Sequence, residues 1–328
     1  MVHPVVTIII TVFRRASYLR QAIDSAVAQT FQNLEIIVSD DSDSEEVKAV
    51  CRKFAGDHRV RYRSNRDRIG VALNVGAAFA ESRGEYIAIV NDDDVMESFM
   101  IERLLAPLLE NPSCVVSFGD HWMMTSGGNL ERQLTEYNSA VRGRSKLKAG
   151  VIESPASFAI RGGVSVVMGA LFRRSACRIE WFREQVEGAY DYWLAVKLAF
   201  AGPFFFVMER VMRYRIHGAS ESGKIYPDKA MGEVFVYDAL LGDDLQLHDR
   251  LFIKRQLEHQ LFVLGRDRLY FGNSCSARDA FRQSLRYGFS VRASMGMILT
   301  SLPVAVRRCV LRGWRAVRGI RAHLPDSA

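Results

Sequence analysis

A chain of 328 residues is long enough for one large domain with an extension, or for two domains. Its 48% hydrophobic and 25% charged residues are typical of a soluble globular protein. No apolar run reaches the roughly 18 residues that a membrane-spanning helix needs. Five scattered cysteines without a CxxC pair argue against a disulfide framework or a zinc site, and favour a reducing cytoplasm.

The net charge of +7 comes from the C-terminal end of the chain. From residue 279 onward the sequence has nine arginines against two acids, Asp279 and Asp326, which alone gives +7. The preceding residues are therefore close to neutral. A basic tail on a neutral body argues against a nucleic-acid-binding domain and against a nucleic-acid partner.

The first 120 residues alternate between strands and helices. Short runs of aliphatic and β-branched residues predict strands at Val5–Thr11, Leu34–Ser39, Arg59–Arg63, Tyr86–Val90 and Cys114–Phe118. Apolar residues spaced at three and four predict four helices. They are a helix capped by Ser17, the helix Glu45–Phe54, a helix around Ala72–Phe79, and the helix Phe99–Leu109. This order predicts an α/β fold with a mostly parallel sheet flanked by helices.

The pattern changes in the second half of the chain. Glycines and charged residues predict a loop-rich insertion over Ser126–Ser157. A regular apolar pattern returns at Val164–Phe172. It is followed by a predicted helix at Tyr190–Ala201 and a predicted strand at Phe204–Val207. Beyond residue 222 the apolar spacing is helical only. We therefore predict a first domain over residues 1–222 and an α-helical C-terminal extension over residues 223–328.

Three consecutive acids, Asp92, Asp93 and Asp94, directly follow the predicted strand Tyr86–Val90. In open α/β sheets, ligands lie beyond the carboxyl ends of the strands, where Asp41 also falls. Adjacent carboxylates repel one another unless a cation or hydrogen-bond donors offset their charge. A divalent metal would do so, and metals held in this way usually carry substrate phosphates. The alternative is a solvated acidic turn before the next helix.

Several stretches together resemble family 2 glycosyltransferases of the GT-A fold. In chain order they are Val6–Phe13, Ala28–Phe31, Glu35–Asp41, Asn65–Gly76, Gly84–Ile87, Asn91–Asp94, Tyr190–Leu194 and Tyr214–His217. The resemblance spans roughly residues 1–220 and depends on the order and spacing of the stretches. It implies a GT-A type nucleotide-binding sheet and a metal-dependent, inverting transfer of a hexose-type sugar from a nucleotide diphosphate donor.

The resemblance implies that the donor-binding residues are Thr11, Phe13, Asp41, Arg68, Asp92 and Arg215. The first four would hold the base, Asp92 the ribose and Arg215 the phosphates. A carboxylate at position 41 could accept an N–H of uracil or thymine, which cytosine lacks at that position, so we expect a uridine-linked donor. Alternatively, Asp41 caps the helix that begins at Glu45 and Arg68 is a surface cation.

The resemblance also implies a divalent metal cofactor, Mn²⁺ or Mg²⁺. Asp93 is the favoured ligand and Asp94 the second choice, because Asn91 replaces an acid of the family pattern and leaves the register open. His217, in the stretch Tyr214–His217, would lie near the metal and diphosphate. Alternatively, His217 is a structural histidine.

Asp191 is the predicted general base. An inverting transferase needs a carboxylate near the acceptor hydroxyl, opposite the leaving group, and Asp191 matches an acid of the family motif. Gly188 and Ala189 stand where that motif often has an acid pair, so Glu187 is an alternative base. Asp191 could instead cap its own helix.

The tail over residues 279–328 has its own pattern. Arginines lie on the other faces of a stripe of apolar residues that recur at spacings of three and four. These apolar residues are Val310, Trp314, Val317, Ile320 and Leu324. This pattern predicts a basic amphipathic helix on an anionic membrane surface, or alternatively a helix packed on the first domain. We expect a cytoplasmic enzyme, peripheral on the inner face of the cytoplasmic membrane. Its acceptor would be a glycan or lipid-linked glycan in bacterial surface polysaccharide or lipopolysaccharide assembly.

Two other functions fit parts of the same sequence pattern. A sugar nucleotidyltransferase would usually have a Gly-rich phosphate loop after the first strand, whereas Thr11–Ser17 contains no glycine. A catalytically inactive GT-A-like membrane adaptor would not need the acids at 92–94, Asp191 and His217. Both alternatives are therefore less favoured than a transferase.

Overall fold

The computed structural model describes residues 4–218, 226–288, 290–303 and 306. The chain forms two compact units, Met1–His217 and Gly218–Ala328. The predicted boundary at residue 222 falls in the segment 219–225, outside the described residues. The predicted amphipathic helix over residues 310–324 lies outside them as well.

The first unit contains all the strands found in the described residues. They are β1 (Val6–Val12), β2 (Leu34–Asp40), β3 (Val60–Ser64), β4 (Tyr86–Asn91), β5 (Val95–Met96), β6 (Val116–Met124), β7 (Gly150–Ile152), β8 (Ala170–Arg173) and β9 (Phe204–Arg215). Its α-helices are α1 (Ala16–Val27), α2 (Glu45–Arg52), α3 (Val71–Glu81), α4 (Met100–Glu110), α5 (Arg132–Val141), α6 (Ala156–Ile160) and α7 (Tyr190–Ala201).

The strands form one sheet in the order β3-β2-β1-β4-β8-β6-β9-β5, with β7 paired to β9. Strand β1 pairs in parallel with β2 and β4, and β2 pairs in parallel with β3. Beyond β4 the β6–β9 pair is parallel, but β8 runs antiparallel to both of its neighbours. Strands β5 and β7 also run antiparallel to β9. The predicted parallel pairing is confirmed from β3 to β4, and the second half of the sheet is mixed.

Helices cover both faces of the parallel half, as predicted. Strands β1 and β2 are buried along their whole length. Val38 of β2 packs in one apolar cluster with residues of α1, α2 and α4. The next residue, Ser39, points to the opposite face and exchanges hydrogen bonds with Asn74 of α3. Because buried strands pack as densely as a crystal, their ends give the loops beyond them a rigid base.

Two predictions about local structure are wrong. Helix α1 begins at Ala16, and Ser17 lies inside it without capping it. The predicted loop-rich insertion contains helix α5, whose buried face carries the polar Thr135 and Ser139. The hydroxyl of Thr135 accepts the N–H of Met123 and donates to the carbonyl of Glu131. Since this face is polar, apolar spacing could not reveal the helix.

The second unit is helical in its described residues, as predicted. Its helices are α8 (Met231–Leu241), α9 (Leu247–Tyr270), α10 (Ser274–Tyr287) and α11 (Val291–Thr300). Phe281 of α10 lies at the centre of its apolar core. A Cβ atom at Gly265 or Gly296 would come within 2.7 Å of the Phe281 ring, so these glycines allow α9 and α11 to approach it closely. None of the described helices has the length and apolar character that crossing a membrane requires.

Candidate active site

The acid triplet lies where β4 ends, at the carboxyl edge of the parallel strands. Asp92, Asp93 and Asp94 are all buried, so they are not the solvated acidic turn of the alternative interpretation. Buried carboxylates require charged or hydrogen-bonded partners. The structure supplies different partners to each of the three.

Asp92 is held by Arg15, from the loop between β1 and α1. Its Oδ1 lies 2.7 Å from Nη2 of Arg15, and its Oδ2 accepts a hydrogen bond from Nε of Arg15 at 3.3 Å. The backbone N–H of Phe13 donates to the same Oδ2 at 3.3 Å. Burial raises the pKa of Asp92 to about 7, Arg15 opposes that rise, and neighbouring Asp93 adds to it.

Asp93 joins Arg15 to His217. Its Oδ2 lies 2.5 Å from Nη1 of Arg15 and 3.0 Å from Nε2 of His217. The ring of Tyr18 packs against the imidazole of His217 with centroids 5.0 Å apart. Asp93 and His217 are therefore paired in space although they lie 124 positions apart in sequence.

Asp94 is held from the opposite side. Its Oδ1 accepts the backbone N–H of Arg215 at 2.9 Å and its Oδ2 accepts the side-chain amide of Asn91 at 3.1 Å. Burial, reinforced by the charge of Asp93, raises the pKa of Asp94 well above its ordinary value. Both of its oxygens thus face donors within the protein.

Arg215 is buried, with 2% of its surface exposed. Its Nε, Nη1 and Nη2 donate to the carbonyls of Asp93 and Ser126 and to Oε1 of Gln21, at 2.8, 3.0 and 2.7 Å. Its guanidinium also lies 4.5 Å from the ring centroid of Tyr18. Contact with a phosphate would require Arg215 to exchange these internal partners.

Asp41, at the carboxyl end of β2, organises the loop that precedes α3. Its carboxylate accepts the backbone N–H groups of Ile69 and Gly70 at 2.9 and 2.8 Å, and the side-chain amide of Asn65 at 2.9 Å. Asp41 does not cap α2, because Ser44 occupies the N-cap position of that helix. One of the roughly four acceptor positions of the carboxylate is left for a further donor.

Phe13, Arg68 and Thr11 lie at the same edge. The guanidinium of Arg68 stacks on the ring of Phe13 at 4.5 Å, and that of Arg14 approaches the same ring at 5.2 Å. Thr11 is buried near the end of β1, in register with Asn91 of β4. Arg68 is exposed, but it is part of this aromatic and cationic surface and not an isolated cation.

Glu187 lies against the start of α3. Its carboxylate accepts the N–H groups of Val71 and Ala72 at 3.0 and 3.3 Å, which satisfies free donors of the first helical turn. Gly70 has φ of 89°, and a Cβ atom there would lie 2.6 Å from Oε2 of Glu187. Only glycine fits this position, between the carboxylates of Asp41 and Glu187.

Asp191 lies in the first turn of α7. The hydroxyl of Ser165 donates to its Oδ2 at 3.4 Å. Burial raises the pKa of Asp191, and the backbone N–H groups of Tyr192 and of Asp191 itself oppose the rise. A carboxylate near a helix N-terminus with a raised pKa is suited to accept a proton.

Tyr190 is influenced by the acid triplet as well as by Asp191 and Glu187. It is 7% exposed, and its hydroxyl has no hydrogen-bond partner among the described residues. Burial raises the pKa of Tyr190 well above its ordinary value, and Asp191, Glu187, Asp94 and Asp93 add to the rise in that order. Tyr190 therefore lies within electrostatic reach of both the acid triplet and Asp191.

Two functional residues were missed from sequence. Arg15 was visible only as half of an Arg-Arg pair after the first strand, and its acid partners lie 77 and 78 positions away. Tyr190 was noted as part of a motif without a role of its own.

The donor set fits a divalent metal in part. No group of three or more metal-ligating side chains converges on one point within the part of the chain that the structure describes. However, Oδ2 of Asp93 and Nε2 of His217 are 3.0 Å apart, and ligands about 2.1 Å from one octahedral ion are separated by roughly this distance. Two protein ligands, completed by phosphate oxygens and water, are what Mg²⁺-type sites often use.

Comparison with known proteins identifies the family. The family model "Glycosyl transferase family 2" matches residues 7–235. An uncharacterized glycosyltransferase of Rickettsia typhi is 27% identical over 239 residues, covering 72% of this chain and 70% of its own length. The chain spans only 36% of a matched glycosyltransferase of Rickettsia conorii and 31% of one from Rickettsia bellii.

Solved structures share the fold. S. aureus TarS 1-349 in complex with UDP-GlcNAc superposes with a TM-score of 0.63 at 14% identity, covering 98% of this chain and 94% of that one. The mannosyltransferase PcManGT from Pyrobaculum calidifontis, in complex with GDP-Man and Mn²⁺, has a TM-score of 0.58 at 15% identity. It covers 98% of this chain and 85% of its own. These likenesses confirm the predicted GT-A type fold, and the family match makes the chain an enzyme. The chain belongs to glycosyl transferase family 2.

Proposed function

We propose that this enzyme transfers a hexose-type sugar from a nucleotide diphosphate donor, most simply a UDP-sugar, to an acceptor hydroxyl with inversion at the anomeric carbon. The observation that carries the proposal is the Asp93–His217 pair, which lies at the carboxyl edge of the parallel strands together with the Phe13–Arg68 surface. Two fold relatives support it, since TarS was solved with UDP-GlcNAc and PcManGT with GDP-Man and Mn²⁺.

The nucleoside would lie over the carboxyl ends of β1 and β2. Phe13 and Arg68 offer a stacked aromatic and cationic surface to the base. Asp41 fixes the loop that carries Arg68 and has an acceptor position left for a uracil N–H. Thr11 borders the base, and Asp92, fixed by Arg15, is next to the ribose position.

The diphosphate would lie over the acid triplet, and Mn²⁺ or Mg²⁺ would neutralise its charge as the sugar leaves. Asp93 and His217 would hold that metal. Asp94 would support the site indirectly, because its carboxylate fixes the backbone of Arg215. Arg215 in turn fixes the Asp93 carbonyl, and it would reach a phosphate only by exchanging its partners.

Asp191 would take the proton of the acceptor hydroxyl. Its raised pKa and partial exposure suit that role. Glu187 is the weaker candidate, since both of its oxygens accept N–H groups of α3. A single carboxylate acting on the acceptor corresponds to direct displacement, which inverts the anomeric carbon.

A screen of nucleotide sugars by thermal shift, with and without Mn²⁺, tests the proposal. We expect one uridine-linked donor to raise the melting temperature in a Mn²⁺-dependent manner. Asp191→Asn should retain this shift but release UDP roughly 10²- to 10⁴-fold more slowly. Ser165→Ala, which removes only the hydroxyl beside Asp191, is the matched control and should lose much less activity. Stabilisation by no nucleotide sugar would overturn the proposed function, and near-normal turnover of Asp191→Asn would overturn the base.

The proposed acceptor is a glycan or lipid-linked glycan of bacterial surface polysaccharide or lipopolysaccharide assembly, reached from the inner face of the cytoplasmic membrane. Two features support membrane association. Val291, Met295 and Ile298 lie exposed at spacings of four and three on α11. Six arginines follow between residues 307 and 321. Apolar insertion beside a basic segment favours anionic lipid surfaces.

Cosedimentation with vesicles tests this part of the proposal. The full chain should sediment with phosphatidylglycerol vesicles more than with phosphatidylcholine vesicles. Replacing both Met295 and Ile298 with Gln should weaken that binding. Equal sedimentation with both lipids would contradict the proposed membrane association.

A further inference from the structure

Arg15 already contacts Asp93, one of the two proposed metal ligands, and the neighbouring Asp92. It forms ion pairs with Asp92 at 2.7 Å and with Asp93 at 2.5 Å. A guanidinium that reaches two carboxylates is a strong counter-ion, because each contact is a charge-assisted hydrogen bond. Arg15 therefore offers its positive charge to both acids.

The oxygen that Arg15 contacts on Asp93 is the one that pairs with His217. Nη1 of Arg15 and Nε2 of His217 both lie against Oδ2 of Asp93. A divalent ion held by Asp93 and His217 would lie beside the guanidinium, and two cations at such a distance repel strongly in a buried site. Arg15 and the metal thus compete for one oxygen.

Arg15 is more exposed to solvent than Arg215. The Arg15 side chain is 27% exposed and leaves from a loop where Arg14 has a left-handed φ of 59°. Arg215 is 2% exposed, and all three of its guanidinium nitrogens bond to groups within the protein. The two arginines flank the same triplet, but only Arg15 faces the open side.

We infer that Arg15 is a resident cation that leaves Asp93 when metal binds, and that the donor diphosphate is its next partner. This inference builds on the proposed function. Metal alone must displace Arg15 without giving it a new anion, so metal alone binds weakly. Metal with a diphosphate gives Arg15 a new anion, so the two ligands bind cooperatively. Arg15 is then a positioning residue that couples metal to donor.

Mn²⁺ binding by the full chain, measured by electron paramagnetic resonance of free Mn²⁺ without nucleotide, tests the inference. Arg15→Met should bind Mn²⁺ roughly 10-fold more tightly than wild type, because the competitor is gone. Arg15→Lys keeps the charge and should remain near wild type. Arg14→Met is the matched control, since Arg14 stacks on Phe13 and should leave Mn²⁺ affinity unchanged. Unchanged or weaker Mn²⁺ binding by folded Arg15→Met would overturn the inference.

Thermal melts and a nucleotide arm complete the experiment. Arg15→Met leaves Asp92 and Asp93 without their cation, so it should melt earlier than wild type in metal-free buffer. Mn²⁺ should restore its stability, and failure to do so would also overturn the inference. UDP should tighten Mn²⁺ binding in wild type more than in Arg15→Met. If wild type binds no Mn²⁺ even with UDP present, the metal-dependent function is overturned. If wild type binds Mn²⁺ with UDP and Arg15→Met has the same Mn²⁺ affinity as wild type, only the role of Arg15 is overturned.

Discussion

The acid triplet has two sides built from similar residues. The open side consists of Arg15, Asp92, Asp93 and His217. The closed side consists of Asn91, Asp94 and Arg215. Arg15 pairs with both acids of the open side through its guanidinium and is 27% exposed, whereas Arg215 contacts Asp94 through its backbone N–H and is 2% exposed. The closed side is therefore a fixed support, while the open side can exchange its protein partners for a metal and a substrate.

The largest expected effect is on the open side. Asp93→Asn should reduce transfer by at least about 10³-fold, or roughly 4 kcal/mol of transition-state stabilisation. The reason is that a neutral amide binds a divalent ion much more weakly than a carboxylate does, whereas the shape of the side chain is kept. Donor turnover at saturating Mn²⁺ measures the effect. Turnover within tenfold of wild type would mean that Asp93 is not the metal ligand.

A substitution on the closed side should lower the stability of the fold instead. Arg215→Met removes the donor to the buried Asp93 carbonyl and to two partly buried acceptors, so the free energy of unfolding should fall by about 2–4 kcal/mol. Urea denaturation measures this loss. Arg213→Met is the matched control on the same strand, because Arg213 pairs with Glu97 near the surface and its loss should cost about 1 kcal/mol or less. Equal losses for the two variants would contradict a supporting role for Arg215.

The raised pKa of Asp92 predicts how stability varies with pH. A carboxyl whose pKa is raised to about 7 on folding keeps its proton in the folded chain while the unfolded chain has lost it. The stability it contributes is therefore present below about pH 4 and is lost as pH rises toward 7. Between pH 5 and pH 8 we expect metal-free wild type to lose on the order of 2 kcal/mol.

Asp92→Asn isolates this effect. The variant should show a smaller loss of stability over the same pH range, measured by urea unfolding at each pH. Asp94 and Asp191 also have raised pKa values and contribute with the same sign, so part of the slope should remain. A slope as steep as that of wild type would show that Asp92 does not retain its proton in the folded chain.

Tyr190 lies within electrostatic reach of the triplet and of Asp191, and its variant has the smallest expected effect. Tyr190→Phe removes a buried hydroxyl that has no partner in the described residues, so stability should stay the same or rise by about 1 kcal/mol. Thermal unfolding measures the change. A loss of more than about 1 kcal/mol would show that the hydroxyl has an internal partner in solution.

Much of the fold was predictable because the parallel strands are buried on both faces. Their continuous aliphatic runs stand out, and the predicted bounds differ from the observed ones by one residue, at both ends of β1 and at one end of β2 and of β4. Helix α7 was predicted over its observed range, Tyr190–Ala201. Helix α5 was not, since its buried face carries hydroxyls that bond to β6. Strand β9 was predicted only to Val207, because charged residues alternate along its second half up to Arg215.

The site was predictable where residues end strands, and unpredictable where partners are distant in sequence. Asp41 and the acid triplet follow strands directly, so a parallel sheet brings them to one edge. The different partners of Asp93 and Asp94 are Arg15, which precedes α1, and Arg215, which ends β9, and spacing in the sequence could not assign them. The structure thereby gives different partners to two acids that the sequence left as alternative metal ligands.

Titration of UDP into the full chain by calorimetry, with and without Mn²⁺, tests the central claim most directly. If Asp93 and His217 hold a metal that carries the diphosphate, Mn²⁺ should tighten UDP binding roughly 10-fold or more in wild type. The same ion should have no effect on UDP binding by Asp93→Asn. Equal UDP affinity with and without Mn²⁺ in wild type, or a full Mn²⁺ response in Asp93→Asn, would contradict the account.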